Sequence, residues 1–210
     1  MDADNVAVIP KRLDLHEAGA IPTTGLTALQ GVDDVLKLRR DESVIIHGGS
    51  GGVGTLAIQF AKLRGARVLA TASGEDGEAL VRRLGADASV EGHHGDILGA
   101  ARAFAPDGVG AVLAFAGGES LERCLEALRP GGRAAWPNGV EPVPEKRKGI
   151  HISSYDAVAG VREFEALNRA VEASRLQVPI AAKFTLAEAA KAHQRIEQGH
   201  VLGKLVLRVA

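Results

Sequence analysis

From Ser43 onward, short runs rich in β-branched and apolar residues alternate with stretches whose apolar positions recur at helical spacing. The runs predict strands at Val44 to His47, Arg67 to Ala72, Ala88 to Glu91, Ala111 to Phe115, Arg133 to Trp136 and Ile150 to Ser153. The intervening periodicity predicts helices near Val53 to Leu63, Glu78 to Leu84, Ile97 to Phe104, Ser120 to Leu128 and Val161 to Ser174. Gly65, Gly85 and the Pro130-Gly131-Gly132 turn mark helix ends. Crossovers between parallel strands are right-handed, and helices must cover both faces of such a sheet. The strands therefore predict an α/β fold built on a doubly wound parallel sheet.

Two flanks stand outside this pattern. Leu15 to Leu36 reads as a short helical turn followed by a helix opened by Pro22. Val178 to Thr185, a helix near Leu186 to Gln198 and a last strand from Lys204 to Val209 read as a βαβ tail, and pattern alone leaves open whether it extends the main sheet. The division is a flank over residues 1–36, a nucleotide-binding unit over 37–175 and a tail over 176–210.

The stretch between the first predicted strand and the first helix carries the chemistry. Gly49-Ser50-Gly51-Gly52-Val53-Gly54 has the spacing G-x-G-x-x-G, where the first glycine permits a tight turn, the second lets a pyrophosphate approach the backbone, and the third lets helix and strand pack closely. Helix-start N–H groups then face the anion, so the βαβ context predicts a Rossmann dinucleotide site. A phosphate-binding loop of the ATPase type would need a lysine after the last glycine, where Thr55 and Leu56 stand. The short-chain reductases use a tyrosine followed four positions on by a lysine; here Tyr155 is followed at that distance by Ala159.

The end of the second strand chooses the dinucleotide. NAD sites usually place a carboxylate there for the ribose 2′-hydroxyl, whereas this strand ends Thr71-Ala72-Ser73. The small hydroxyl residues Thr71 and Ser73 would tolerate and bond a 2′-phosphate, which favours NADPH over NADH. Glu75 and Asp76 stand against that preference. His93, beside His94 just past the third strand, is a candidate for the adenosine end.

Composition narrows the partners. With 25 basic and 26 acidic side chains among 210 residues, no charge excess marks a nucleic-acid or anionic-lipid footprint, and no stretch is long enough to span a bilayer. The expected partner is a small molecule. One cysteine makes neither an internal disulfide nor a cysteine-rich metal site, which predicts a reducing, cytoplasmic setting.

The runs "EAGAIPTTGLTALQGV", "VIIHGGSGGVGTLAIQFAKLRGARVLATAS", "LGAD", "FAGGESLERCLEALRPGGR" and "GKLVLRV" occur in this order and together resemble the medium-chain dehydrogenase/reductase superfamily. The nearest branch is the zinc-independent quinone oxidoreductases, or zeta-crystallin-like proteins, to which polyketide enoyl reductases are related. The resemblance implies an N-terminal GroES-like catalytic domain ahead of this chain, with the tail folding back onto it. It implies hydride transfer from NADPH to an electron acceptor such as a quinone or an α,β-unsaturated carbonyl, and a homodimer. It places Thr24 and Thr27 near the nicotinamide amide, and Ala116-Gly117 and Asn138-Gly139 along the nicotinamide. Gly203-Lys204 matches a family ending that helps bind cofactor in some relatives, a strand-entry turn being the other reading. The metal-binding cysteine of zinc-dependent relatives matches a position close to Ala20, and Cys124 lies on a helix stripe with core leucines, so no zinc is expected. Proton donors in the family come largely from the N-terminal domain, and no catalytic residue is assigned here. The alternative is a non-catalytic NAD(P)H-binding sensor or interaction module.

Overall fold

A computed structural model of the chain describes residues 6–209; residues 1–5 and Ala210, which the predicted flank and tail include, lie outside the described residues. Six parallel strands form the main sheet: β1 (Ser43–His47), β2 (Arg67–Ala72), β3 (Ala88–Glu91), β4 (Val109–Ala114), β5 (Leu128–Pro137) and β6 (His151–Tyr155). Their order is β3-β2-β1-β4-β5-β6. The chain starts in the middle, builds to one edge and crosses back at β4, so the sheet is doubly wound. The reversal between β1 and β4 opens a crevice at the C-terminal ends of those two strands.

The helices are α1 (Leu15–Ala20), α2 (Pro22–Gln30), α3 (Gly54–Leu63), α4 (Gly74–Arg83), α5 (Ile97–Phe104), α6 (Glu119–Glu126), α7 (Val161–Ser174) and α8 (Ala189–Glu197). A π-helical turn, Gly31–Val35, continues α2. Because successive strand side chains point to opposite faces, β1 serves both layers. Val44 and Ile46 join the core under α2, α3, α4 and α7, while Ile45 joins the core under α5 and α6. Both faces of the central strands are therefore closed to water, and their C-terminal edge is left as the place for a ligand. Among the described residues, no helix is long and apolar enough to cross a membrane.

Two local predictions are corrected. Helix α4 begins at Gly74, four residues before the predicted start, so Glu75 and Asp76 lie in its first turn, where carboxylates favour the helix dipole. Pro130-Gly131-Gly132 lies within β5 instead of ending a helix: Val109 pairs with Leu128 and Ala111 with Arg133, so residues 129–132 bulge outward opposite Gly110. Gly131, at φ 75°, supplies the turn inside the bulge.

The tail does not extend the main sheet. β7 (Ile180–Thr185) and β8 (Lys204–Arg208) pair in parallel as a separate two-stranded sheet, with α8 between them in sequence. Ties near both of its ends hold it to the main body, besides the contacts of His200 with Ser73 and Asp76. Near its start, the buried Gln59 of α3 donates to the Gln177 carbonyl at 2.9 Å and accepts from the Gln177 N–H at 2.8 Å. Near its end, Gly203 donates to the Ser50 carbonyl at 2.9 Å and forms a parallel bridge with Gly51. The glycine loop is thus a junction between the sheet and the tail.

Replacing Gln59 with leucine keeps its bulk but leaves both Gln177 backbone groups without their partner. The expected loss is about 1–3 kcal/mol, read from urea midpoints, with faster amide exchange over residues 177–185. Unchanged exchange there would show that the tail is held elsewhere.

Candidate functional site

The three motif glycines meet different surroundings. A Cβ on Gly49 would lie 3.0 Å from the Ala70 Cβ and 3.1 Å from the Thr71 carbonyl oxygen. One on Gly54 would strike the Gly48 carbonyl oxygen and sit 2.7 Å from the Gly49 Cα. One on Gly51 would meet only the Gly48 carbonyl oxygen, at 3.4 Å, which is ordinary packing distance. Gly49 and Gly54 therefore let strand, loop and helix close on one another, and Gly51 leaves the loop open. Among the described residues, the N–H groups of Val53 and Gly54 have no acceptor, and no side chain caps α3. Unpartnered donors at a helix start beside an open glycine fit a pyrophosphate.

The loop is fastened to the second strand from beneath. Gly49 donates to the Thr71 carbonyl at 2.8 Å, Gly48 donates to the Thr71 hydroxyl at 3.0 Å, and Ser73 donates its N–H to the Ser50 hydroxyl at 3.1 Å. Thr71 is 1% exposed, and its hydroxyl also bonds Nδ1 of His47 at 2.8 Å. This corrects the expectation that Thr71 faces a 2′-phosphate: its hydroxyl shapes the loop from below. Ser73 is partly exposed and keeps its place at the strand end.

His47, the last residue of β1, carries no signal in the sequence pattern, being one histidine that closes an apolar run. It is 3% exposed, and its Nε2 lies 3.4 Å from the Ser120 hydroxyl of α6. Burial, with nearby His93 adding to it, lowers its pKa from 6.5 to about 4. The ring is therefore neutral at ordinary pH and links β2, through Thr71, to the first turn of α6.

The other predicted residues gather at the same sheet edge to differing degrees. Ala116 and Gly117 follow β4, and Ala116 lies against Gly48. Asn138 and Gly139 follow β5; Asn138 donates its N–H to the Tyr155 carbonyl and its side-chain amide to Asp156, both at 2.8 Å. His93 is exposed after β3, its N–H held by the Glu91 carboxylate. Thr24 and Thr27 lie on α2, and their hydroxyls donate to the Ala20 and Thr23 carbonyls at 2.9 and 2.8 Å. Thr27 is buried, and its own carbonyl accepts from the Tyr155 hydroxyl.

The tail supplies what the loop lacks. A Cβ on Gly52 would meet Lys204 Cδ at 2.5 Å, so the Lys204 side chain lies across the loop. Among the described residues no carboxylate pairs with its ammonium, and partial burial lowers its pKa. A lysine absent after Gly54 in sequence thus arrives from 150 positions further on, in the Gly203-Lys204 pair that the family resemblance associates with cofactor binding in some relatives.

Cys124 is fully buried in the α6 layer, and burial pushes its thiol up to about 12, away from the thiolate a zinc ion requires. Among the described residues, no cluster of three or more histidine, cysteine or acidic side chains has metal-holding geometry.

Residues 84–207 match the family model described as zinc-binding dehydrogenase. The NAD(P)H oxidoreductase RTN4IP1, mitochondrial, of Danio rerio is 30% identical, the match covering 100% of this chain and 61% of that protein. A solved structure of an NAD-dependent alcohol dehydrogenase superposes with a TM-score of 0.88 at 34% identity, covering 97% of this chain and 62% of the other. The quinone oxidoreductase from Coxiella burnetii gives a TM-score of 0.86 at 32% identity, covering 97% and 64%. The chain thus spans a little under two thirds of the length of these three proteins.

The buried His47 makes stability depend on pH. Its folded pKa lies below the unfolded value of 6.5, so its contribution is complete above about pH 6.5 and is lost as pH falls toward about 4. The shift corresponds to at most about 3 kcal/mol. In His47→Asn this part of the acid-induced loss disappears, while the protein is less stable at neutral pH. Parallel stability curves for the two proteins between pH 4 and 7 would contradict it.

Proposed function

The chain belongs to the zinc-binding dehydrogenase family of the medium-chain dehydrogenase/reductase superfamily, and from that premise we propose that it is the nucleotide-binding part of an NADPH-dependent oxidoreductase. The acceptor class we assign is a quinone or an α,β-unsaturated carbonyl, on the zeta-crystallin-like motif order and the quinone oxidoreductase relative. The observation that carries the reading is the open backbone at Gly51 beside the unpartnered N–H groups of Val53 and Gly54.

Ser50, Gly51, Gly52, Val53 and Gly54 would hold the pyrophosphate, with the Lys204 ammonium neutralising part of its charge. Ser73 would face the ribose, and His93 the adenosine end. Ala116, Gly117, Asn138 and Gly139 would line the nicotinamide at the C-terminal edge of β4 and β5, with Thr24 and Thr27 approaching from α2. The reduced nicotinamide, when bound, supplies a hydride; the protein's task is to orient it and exclude water. We assign no proton donor among the described residues. The preference for NADPH rests on the absence of a carboxylate at the end of β2; the NAD-dependent name of one structural relative stands against it.

We read the chemistry as zinc-independent, because the one thiol is sealed in the core and no cysteine stands close to Ala20, where the resemblance puts one. The same thiol suits a reducing compartment, for which we propose the cytoplasm. A homodimer is proposed through the outer edge of β6, whose backbone faces no further strand among the described residues.

Gly51→Ala tests the carrying observation. The added methyl has room, so stability should stay within about 0.5 kcal/mol of wild type, while NADPH affinity measured by calorimetry falls at least about tenfold. Gly54→Ala should lose both, because its methyl collides with the Gly48 carbonyl. Full NADPH affinity in Gly51→Ala would overturn the reading.

A further inference from the structure

A second titratable cluster stands at the far corner of the site, where a strand end and the tail meet. Ser73 follows β2 as the N-cap of α4 and is tied by its N–H to Ser50, so it stands beside the second residue of the glycine loop. Its hydroxyl lies 2.9 Å from Nδ1 of His200, and Nε2 of His200 lies 2.9 Å from the Asp76 carboxylate. In open α/β sheets, the ribose of a dinucleotide seated on the first loop lies at this strand end. The inference rests on the dinucleotide reading given above.

We propose that His200, acting with Ser73 and Asp76, selects between a 2′-phosphate and a 2′-hydroxyl on the bound ribose, and that the charge on its imidazole sets the choice.

Several constraints hold an otherwise exposed ring in place. Gly74 adopts φ 69°, and a Cβ there would meet the imidazole Cε1 at 3.2 Å, so the missing side chain leaves room for the ring. Gly199 and His200 both adopt left-handed backbone, at φ 69° and 50°, a conformation uncommon for a residue with a side chain. The Arg195 guanidinium donates to the carbonyls of both, at 2.7 and 2.9 Å. The charged groups facing His200 are therefore Asp76, from α4, and Arg195, from α8, the latter on the backbone side of the loop.

The donor and acceptor count gives the cluster two states. The hydrogen bond from His200 lowers the Asp76 pKa, so that carboxylate is ionised and can only accept, and Nε2 must carry the proton that meets it. With the ring neutral, Nδ1 has a lone pair and accepts the Ser73 hydroxyl hydrogen. Ser73 can then only accept from a ligand, which suits a ribose hydroxyl, and the uncompensated Asp76 repels a phosphate. With the ring protonated, Nδ1 donates to Ser73, whose own hydrogen turns outward as a donor. The imidazolium also offsets Asp76, and both changes suit a 2′-phosphate. The sequence-level conflict between Ser73 and Asp76 thus becomes a division of labour between two protonation states.

The test is calorimetric titration of the 210-residue chain with NADPH and with NADH from about pH 5.5 to about pH 8.5. The NADPH-to-NADH affinity ratio of the wild type is expected to fall about tenfold across this range. In His200→Gln, the ratio should keep only the drift from titration of the 2′-phosphate itself, which both proteins share. Asp76→Asn should raise NADPH affinity most at the alkaline end. Coincident pH curves for wild type and His200→Gln, with both nucleotides bound, would overturn the selector and leave the dinucleotide site standing. Binding of neither nucleotide at any pH would overturn the dinucleotide reading and the selector with it.

Discussion

The close approach of Gly54 to the carbonyl of Gly48 is the constraint on which the site depends. The first residue of α3 lies so near the end of β1 that no side chain fits between them. That approach sets α3 against the sheet and leaves the N–H groups of Val53 and Gly54 without protein acceptors. A helix start with unmet donors is costly unless water or an anion meets them. The fold thus builds a place for negative charge by packing alone, before any charged residue is counted.

Charge then arrives from distant parts of the chain. Lys204 lies across Gly52, and the same segment binds the loop through Gly203 and Ser50. His200, a few residues earlier, reaches Ser73 and Asp76 at the other end of the loop. The tail is therefore part of the site's wall. Beneath the loop, Thr71 and His47 form a neutral polar layer, which fixes the loop without placing a competing charge under it.

What the sequence made legible follows from the range of the interactions involved. The alternation of strands and helices is local, and the structure has it where the period puts it; the close helix–strand packing at Gly54 is local too. Gly65 also stops α3, with its backbone at φ 75°. The Pro130-Gly131-Gly132 stretch is ambiguous in sequence because turn chemistry is the same whether it ends a helix or bulges within a strand. Thr71 was misassigned because strand alternation cannot tell which face of the last turn a ligand will see. His47 and His200 join the site only through contacts between segments far apart in the chain, and Lys204, to which the family resemblance already points, is brought to the loop in the same way.

The loop from Gly49 to Gly54 is proposed as the seat of a dinucleotide. The most direct measurement is backbone amide NMR on adding NADPH. The largest shifts should fall on Ser50, Gly51, Val53 and Gly54, with Ser73 and Lys204 following. Shifts confined to the opposite edge of the sheet, around Arg39, Arg67 and Arg129, would contradict it.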